Sequence, residues 1–346
     1  MVKGPVKLIT IADELGLSIA TVSMALRDSP KLRPETKKRV RETAERMGYV
    51  PNLGAASLRT KRRDMIAIAV HDILNPYFAK IFRALETSLE AKGYSVIISN
   101  HHDDLDRQRR FLTTMQQQRA DGFVICPSAG SENLLMKKMH DAGVPVTLVC
   151  RKLSDSVSPI VRGDDVAGML EVGRHLASLG HRHVAMVGGR SFSSSGEDRL
   201  NGLVRGLAEF GVRFDIGWHF PDRMTEKEGW DVVPQILGRE DRPTAIACFN
   251  DLVALGLMGG LNHYGMQAGR DIAVTGYDNI ASSAYASPPL TTVDSDPTAI
   301  GRIAAETLLE QINGVDVGHK EILIPPSLVV RASSSGGLST PPSSES

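Results

Sequence analysis

The sequence predicts a small all-α helix-turn-helix head joined to an α/β core of two doubly wound parallel-sheet lobes. Two observations predict it. The segment Thr10-Ile-Ala-Asp-Glu-Leu-Gly-Leu-Ser18, followed by Ile19-Ala-Thr-Val-Ser-Met-Ala-Leu26, reads as two short amphipathic helices about a tight turn at Gly16, with Ser18 capping the second. From Met65 onward, short apolar runs alternate with amphipathic stretches, the pattern of strands spaced by helices and hence of parallel sheets. The length of 346 residues exceeds what one core fills and suits a head plus two lobes.

In the head, residues 1–50, Ile11, Ala12 and Leu15 share a face of the first helix, and Val22, Ala25 and Leu26 the inner face of the second. A third helix is expected over 34–47, opened by Pro34, striped by Val40, Ala44 and Met47, and stopped by Gly48. Residues 51–63 are a linker in which Asn52 can cap a hinge helix of about two turns, too short to persist in water without a partner. The core spans 64–332, with strands expected at 66–70, 95–98, 122–126, 146–150, 183–187, 244–248 and 271–275. Helices are expected at 76–92, 104–119 and 165–179, among others. The alternation breaks near Gly163, giving an N-lobe of about 64–163 plus 294–325 and a C-lobe of about 164–293 plus 326–332. The segments 296–313 and 321–330 would cross back to complete both sheets, and the Ser/Pro/Gly-rich stretch 333–346 reads as disordered.

A hydrophobic content of 42% with 23% charged residues is that of a soluble globular protein. No apolar run approaches a membrane span and no secretory h-region opens the chain, so a cytoplasmic protein without membrane association is expected. The formally neutral chain is divided: residues 1–63 hold 14 Lys+Arg against 6 Asp+Glu, and the remainder 26 against 34. A basic head on an acidic body points to a polyanion partner. Cys126, Cys150 and Cys248 each close an apolar run without metal or redox spacing, and read as buried thiols. In His101-His102-Asp103-Asp104, adjacent residues cannot all face one ion, and Asp103 or Asp104 is better placed as a helix cap. Gly188-Gly189-Arg190 lacks the rest of a phosphate-binding loop. With no nucleophile–base pair, paired catalytic carboxylates or cofactor fingerprint, neither an enzyme nor a cofactor or metal is expected.

The head, the Pro51-Asn52 linker with Ser57-Leu58, and a series of later motifs together resemble the LacI/GalR family of bacterial transcription regulators. Those motifs are Asp72-Ile-Leu-Asn-Pro-Tyr-Phe78, Arg199-Leu-Asn-Gly202, Phe249-Asn-Asp-Leu-Val-Ala254, Gly276-Tyr-Asp278 and Pro288-Pro-Leu-Thr-Thr-Val293. They occur in the family's order and spacing over roughly residues 7–331. The resemblance implies a core like that of periplasmic sugar-binding proteins and a homodimer whose affinity for double-stranded operator DNA changes when a small effector binds. It implies a repressor of carbohydrate uptake or catabolism genes, with a sugar or sugar derivative as effector. It places Ile19, Ala20 and Met24 at base edges, Thr21 and Ser23 at phosphates, and Thr10, Ser18, Asn52, Ala55 and Arg59 elsewhere in the DNA interface. Leu58 matches the leucine that wedges into the minor groove. Met24 departs from the family's usual Arg or His and cannot make a bidentate bond to guanine, so apolar contact with thymine methyls and a different operator are expected. Ala56 replaces a usual arginine, for which Arg59, Lys61, Arg62 and Arg63 can compensate. Lys37, Lys38, Arg39 and Arg41 read equally as a solvated helix face or as phosphate contacts.

Ligands of doubly wound sheets sit beyond the carboxyl ends of the strands. Asn75, Tyr77, Phe78, Ser195, Arg199, Phe249, Asn250 and Asp278 all follow predicted strands and are candidate effector contacts, and the resemblance implies that Arg199, Asn250 and Asp278 meet effector hydroxyls. A cation, a carboxylate, an amide and aromatic walls suit a polyhydroxylated ligand. Asp251 reads as a residue that caps or fixes a loop, and Cys150 stands where several sugar-responsive members carry Asp. An alternative for the core, a solute-binding protein without gene regulation, leaves the basic head unexplained. The resemblance implies that a tetramer would need an appended leucine-heptad tail, and 333–346 has no heptad repeat, so a dimer is expected.

Overall fold

The computed structural model describes residues 6–50 and 63–335, which divide into two compact units between Arg63 and Asp64. The first is three helices: α1 (Leu8–Leu15), α2 (Ile19–Leu26) and α3 (Pro34–Arg46). Gly16 takes a left-handed φ of 64°, which an L side chain disfavours, so the chain reverses there and α2 turns 107° away from α1. Ser18 caps α2 by accepting the Thr21 N–H at 3.0 Å. Ile11, Ala12, Val22, Ala25, Val40 and Ala44 form the small core. The expected hinge helix, with Asn52, Ala55, Leu58 and Arg59, lies outside the described residues.

The second unit begins with β1 (Met65–Val70), α4 (Pro76–Glu90), β2 (Ser95–Asn100), α5 (Leu105–Gln117) and β3 (Gly122–Ile125). It continues through α6 (Leu134–Asp141), β4 (Val146–Val149), β5 (Ile160–Gly163), α7 (Asp165–Ser178), β6 (Val184–Val187) and α8 (Ser194–Ala208). Then come β7 (His219–Phe220), α9 (Glu226–Asp231), α10 (Val233–Leu237), β8 (Ala245–Cys248), α11 (Asp251–His263) and β9 (Ala273–Thr275). The last are α12 (Ala281–Tyr285), β10 (Thr292–Asp294), α13 (Pro297–Ile312), β11 (Glu321–Ile324), β12 (Ser327–Val329) and α14 (Ala332–Ser335).

Two parallel sheets organise these elements, as the alternation predicts. The N-lobe sheet runs β11-β5-β4-β3-β1-β2 and the C-lobe sheet β7-β6-β8-β9. Both reverse their strand order beside their first strand, at β1/β3 and at β6/β8, the switch points where such sheets bind ligands. The sheets are covered on both faces. Along β1, Ile66, Ile68 and Val70 pack with Ile81 and Leu85 of α4 and Ile300 and Leu308 of α13. Ala67 and Ala69 face Leu112, Met136 and Met139 on the other side. In the C-lobe, Val187 and Cys248 pack toward α10 and α11, while Val184 and Met186 pack toward α7 and α8. The chain passes between the lobes three times: from β5 to α7, from β10 to α13, and from β11 to β12.

Several sequence expectations are corrected. The run 321–330 is two strands separated at Pro325-Pro326, and only β11 completes a large sheet, pairing parallel with β5. β12 instead pairs antiparallel with β10, because the proline pair turns the chain away from the sheet. β5 was not anticipated, since Arg162 interrupts its apolar run. Its guanidinium is matched in the fold by Glu321 at 2.7 Å and Asp198 at 2.9 Å. The stretch read as disordered from 333 begins as helix. Ser333 Oγ donates to the Val274 carbonyl at 2.6 Å and accepts the Thr291 N–H at 2.8 Å, and Ser334 Oγ lies 2.6 Å from Thr291 Oγ1. These hydroxyls satisfy buried groups of the C-lobe, which composition does not reveal; residues 336–346 lie outside the described residues.

Candidate functional site

The carboxyl ends of β1, β6, β8 and β9 converge on one cavity, lined by all eight residues that the sequence marks as candidate ligand contacts: Asn75, Tyr77, Phe78, Ser195, Arg199, Phe249, Asn250 and Asp278. His71, Cys150, Arg151, Gly163, Asp165 and Met224 complete its walls. The cavity is small, about 30 Å³, room for a water or two.

Arg199 is its centre. α8 brings the guanidinium in almost fully buried. Nε donates to Asp165 Oδ1 at 2.8 Å, Nη1 donates to the Phe249 carbonyl at 2.5 Å, and Nη2 lies 3.6 Å from Asp278 Oδ1. The rings of Phe249 and Tyr277 cover its faces, 4.3 and 3.7 Å from its central carbon. Burial works against this charge, but Asp165 and Asp278 more than offset it, so its pKa rises further above its ordinary value. Gly168 makes the sandwich possible, because a Cβ there would stand 2.6 Å from the Tyr277 hydroxyl.

Asp278 is 3% exposed and holds a φ of 103°, a backbone region costing about 1–3 kcal/mol and found chiefly at functional sites. Its Oδ2 accepts from Asn75 Nδ2 at 3.4 Å, whereas Oδ1 is buried without a hydrogen-bond partner. Burial pushes its carboxyl up to about 7, Arg199 pulling down and Asp251 and Asp165 pushing up.

The two amides serve mainly as scaffolding. Asn75 caps α4 by accepting the Tyr77 N–H at 2.9 Å, and Asn250 caps α11 by accepting the Val253 N–H at 2.9 Å while donating to the Met224 carbonyl at 3.2 Å. Tyr77 lies edge-on to Phe78, and its hydroxyl meets Ser295 Oγ at 3.4 Å on the second interlobe crossover. Burial raises its pKa well above the ordinary phenol value. Phe78 in turn lies edge-on to His71, with centroids 4.4 Å apart.

Asp251 is outside the cavity and fixes a loop. It accepts from the Ile280 N–H at 2.9 Å and from the Ser283 and Thr292 hydroxyls, both at 2.6 Å. Sequence reasoning missed Asp165, which looks like an acidic first-turn residue of α7, and Arg151, whose partner Asp103 comes from a distant loop at 2.5 Å. Burial opposes the Asp103 charge, yet Arg151 brings its carboxyl down to about 2. Asp103 is therefore a salt-bridge partner, while Asp104 caps α5 through the Arg107 N–H at 2.8 Å. No cluster fit for a metal occurs among the described residues. The three cysteines are free and buried.

On the head, α2 presents Ile19, Ala20, Thr21, Ser23 and Met24 partly or fully to solvent, and Thr10 is exposed on α1. Met24 is half-buried and stands outside the head core, which Val22, Ala25 and Leu26 close. Ser18 Oγ also meets Thr21 Oγ1 at 2.8 Å, so these two hydroxyls stiffen the start of α2. On α3, Lys37 and Arg41 pair with Asp28 at 3.2 and 2.7 Å, and Lys38 faces Glu42 at 3.9 Å. No single helix among the described residues is long and apolar enough to cross a membrane.

The chain is similar to known proteins in sequence and in fold. Residues 7–52 match the bacterial regulatory proteins, lacI family, and residues 174–334 match a periplasmic binding protein-like domain. The HTH-type transcriptional repressor PurR of Aliivibrio salmonicida (strain LFI1238) is 30% identical over 324 residues, 93% of this chain and 97% of that protein. The lac repressor dimer bound to operator and the anti-inducer ONPF is similar with a TM-score of 0.84 and 25% identity, over 95% of this chain and 99% of that one. A LacI family transcriptional regulator from Enterococcus faecium with bound ribose is similar with a TM-score of 0.71 and 28% identity, over 79% and 99%. With the head matched over residues 7–52 and a repressor 30% identical over 93% of the chain, the chain belongs to the lacI family of bacterial regulatory proteins.

Proposed function

We propose that this protein is a homodimeric, ligand-responsive repressor that binds double-stranded operator DNA through α2 and senses a small polyhydroxylated molecule between its lobes. The observation that carries the reading is the convergence of eight strand-end residues, from both lobes, on the Arg199 cavity. Ile19, Ala20 and Met24 would meet base edges and Thr21 and Ser23 phosphates, with Leu58 as the minor-groove wedge of the linker. Its genes would be those of carbohydrate uptake or catabolism.

The mechanism follows from how the lobes are latched. Asn75 Nδ2 reaches Asp278 at 3.4 Å, the Lys152 N–H donates to Ser194 Oγ at 2.9 Å, and Lys80 Nζ donates to the Asn279 carbonyl at 3.1 Å. A cavity of about 30 Å³ cannot admit a sugar ring unless these contacts yield, so ligand entry changes the lobe angle. A ligand with different affinity for the open and closed forms shifts their populations, and with them the affinity for DNA. Asp165 and Asp278 both face Arg199 rather than each other across open space, an arrangement for binding without turnover. The test is operator selection from random DNA with the full chain, followed by gel-shift titration with and without sugars and polyols. Selective retention of one palindromic sequence, altered by a ligand, is expected; retention of random DNA alone would overturn the reading.

A further inference from the structure

The three cysteines are not equivalent in the fold. Cys248 sits in the C-lobe core, whereas Cys126 and Cys150 share a cluster of the N-lobe. β3 and β4 pair in parallel with Ile125 level with Leu148, so Cys126 follows beside Val149 and Cys150 comes next. Neighbouring strands stand about 4.8 Å apart, within the Cα separation that a disulfide spans. Alternation along a strand would send Cys150 to the face opposite Val149. Its left-handed φ of 63° breaks the alternation, and Cys150 joins Cys126, Val149, Tyr77 and Phe78 in one cluster. The two thiols are hydrogen-bonded to each other, a contact that no Cys-x-x-Cys spacing discloses.

A base and an opening complete the site. Cys126 Sγ lies 3.5 Å from His71 Nδ1, and Cys150 Sγ lies 3.9 Å from the Tyr77 hydroxyl. Burial works against a charge on Cys126, but hydrogen bonds with Cys150 and His71 bring its pKa well below the ordinary thiol value. The bond to Cys126, and burial, drive that of Cys150 upward. Cys126 is fully buried, whereas Cys150 and His71 line the Arg199 cavity. At about 30 Å³ the cavity is closed to a sugar and holds a molecule of one or two oxygen atoms.

We propose that Cys126 and Cys150 are an oxidisable dithiol in the wall of the cleft, which hydrogen peroxide converts to a disulfide. His71 takes the proton of Cys126, and Cys150 passes its own to Cys126 across the shared hydrogen bond. The Cys150 thiolate attacks one peroxide oxygen, an S–O bond forms, the O–O bond breaks, and the departing hydroxide leaves as water with the proton on His71. Cys126, deprotonated again by His71, attacks the Cys150 sulfur. The S–S bond forms, the S–O bond breaks, and a second water leaves with that proton. Each sulfur loses one electron and each peroxide oxygen gains one. The new bond forms beside Tyr77, whose hydroxyl meets Ser295 Oγ at 3.4 Å, so oxidation reaches both the ligand wall and a crossover between the lobes. That consequence rests on the cleft being the effector site of a repressor; the dithiol itself does not.

The test treats the reduced full chain with hydrogen peroxide and counts thiols after denaturation. Three are expected to fall to one, with peptide mapping joining Cys126 to Cys150 and leaving Cys248 free, and with dithiothreitol restoring all three. Three unreacted thiols, or oxidation that joins Cys248 or separate chains, overturns the proposal. In Cys126→Ser, Cys150 is expected to stop at the sulfenic acid and be trapped by dimedone, while in Cys150→Ser, Cys126 stays a thiol. The opposite pattern overturns the order of attack, and mapping of the native chain decides the pairing even where a variant fails to fold. Titrated against the operator recovered by selection, oxidised and reduced chains are expected to differ in affinity by about fivefold or more, and Cys126→Ser to lose that difference. Equal affinities overturn the link to DNA. A disulfide that forms in a chain selecting no operator sinks the repressor reading and leaves the dithiol standing.

Discussion

Asp278 is held against its own preferences, in a left-handed backbone conformation and with an ionisable group in a buried wall. The groups facing it are Arg199, Asn75, Asp165, Asp251, Tyr77 and Tyr277. With its folded pKa at about 7, above the ordinary carboxylate value of 3.8, the folded protein retains a proton that the unfolded chain releases. Stability therefore falls as pH rises from about 4 to about 7 and levels above that, by an upper bound of roughly 4 kcal/mol from this group. Asp278→Asn should remove that slope, so urea melts should show it gaining more over the native chain at about pH 8 than at about pH 4. An equal difference at both would show that Asp278 is ionised throughout. Met24 supports a prediction on the DNA side. Half-buried on the α2 face, like Thr21 and Ser23, it offers no donor, and Met24→Arg should move the selected operator toward guanine at the facing base pair by about 1–3 kcal/mol, read by competition binding.

Among the elements, the α7–α8 pair depends on missing side chains. A Cβ on Gly173 would stand 2.6 Å from the Leu203 carbonyl, and one on Gly206 would crowd the Leu170 carbonyl and sit 3.0 Å from the Arg174 nitrogen. The helices touch backbone to backbone and in turn aim Arg199 and Asp165 at each other. Gly206→Ala should cost about 1–3 kcal/mol in chemical denaturation, as overpacking between rigid helices does, and should weaken ligand binding as well. Native-like stability would mean the helices can separate freely. What the sequence discloses about elements follows the same physics. Strands buried on both faces, such as β1 and β8, stand out as unbroken apolar runs. β5 does not, because Arg162 is neutralised only by partners that folding brings to it. The eight cleft residues were legible because the motifs that carry the family resemblance fall just after predicted strands. Asp165 and the Tyr277 ring were not, since their roles arise from the approach of α7 to the loop after β9. Ser333 and Ser334 look like tail by composition, and only their hydrogen bonds to the C-lobe distinguish them from one.

Across the whole molecule, charge is partitioned so that 14 of the 40 basic residues fall in the first 63 positions. A dimer presents two such heads, so the log of operator affinity should fall steeply with the log of salt concentration in a titration series, and a shallow slope would deny the head its phosphate contacts. Leu58→Ala, in the linker, should lower operator affinity by about 1–3 kcal/mol in gel-shift titration while leaving ligand binding intact. The three passages between lobes have a consequence for how the chain comes into being. The edge strand of the N-lobe sheet is β11, residues Glu321–Ile324, and the last hydrogen bonds of the C-lobe come from Ser333 and Ser334. Because synthesis proceeds from the N-terminus, the four strands of the C-lobe sheet are all made before the N-lobe sheet receives its edge strand. A product terminated before Glu321 then carries a DNA-reading head on an N-lobe sheet that lacks β11.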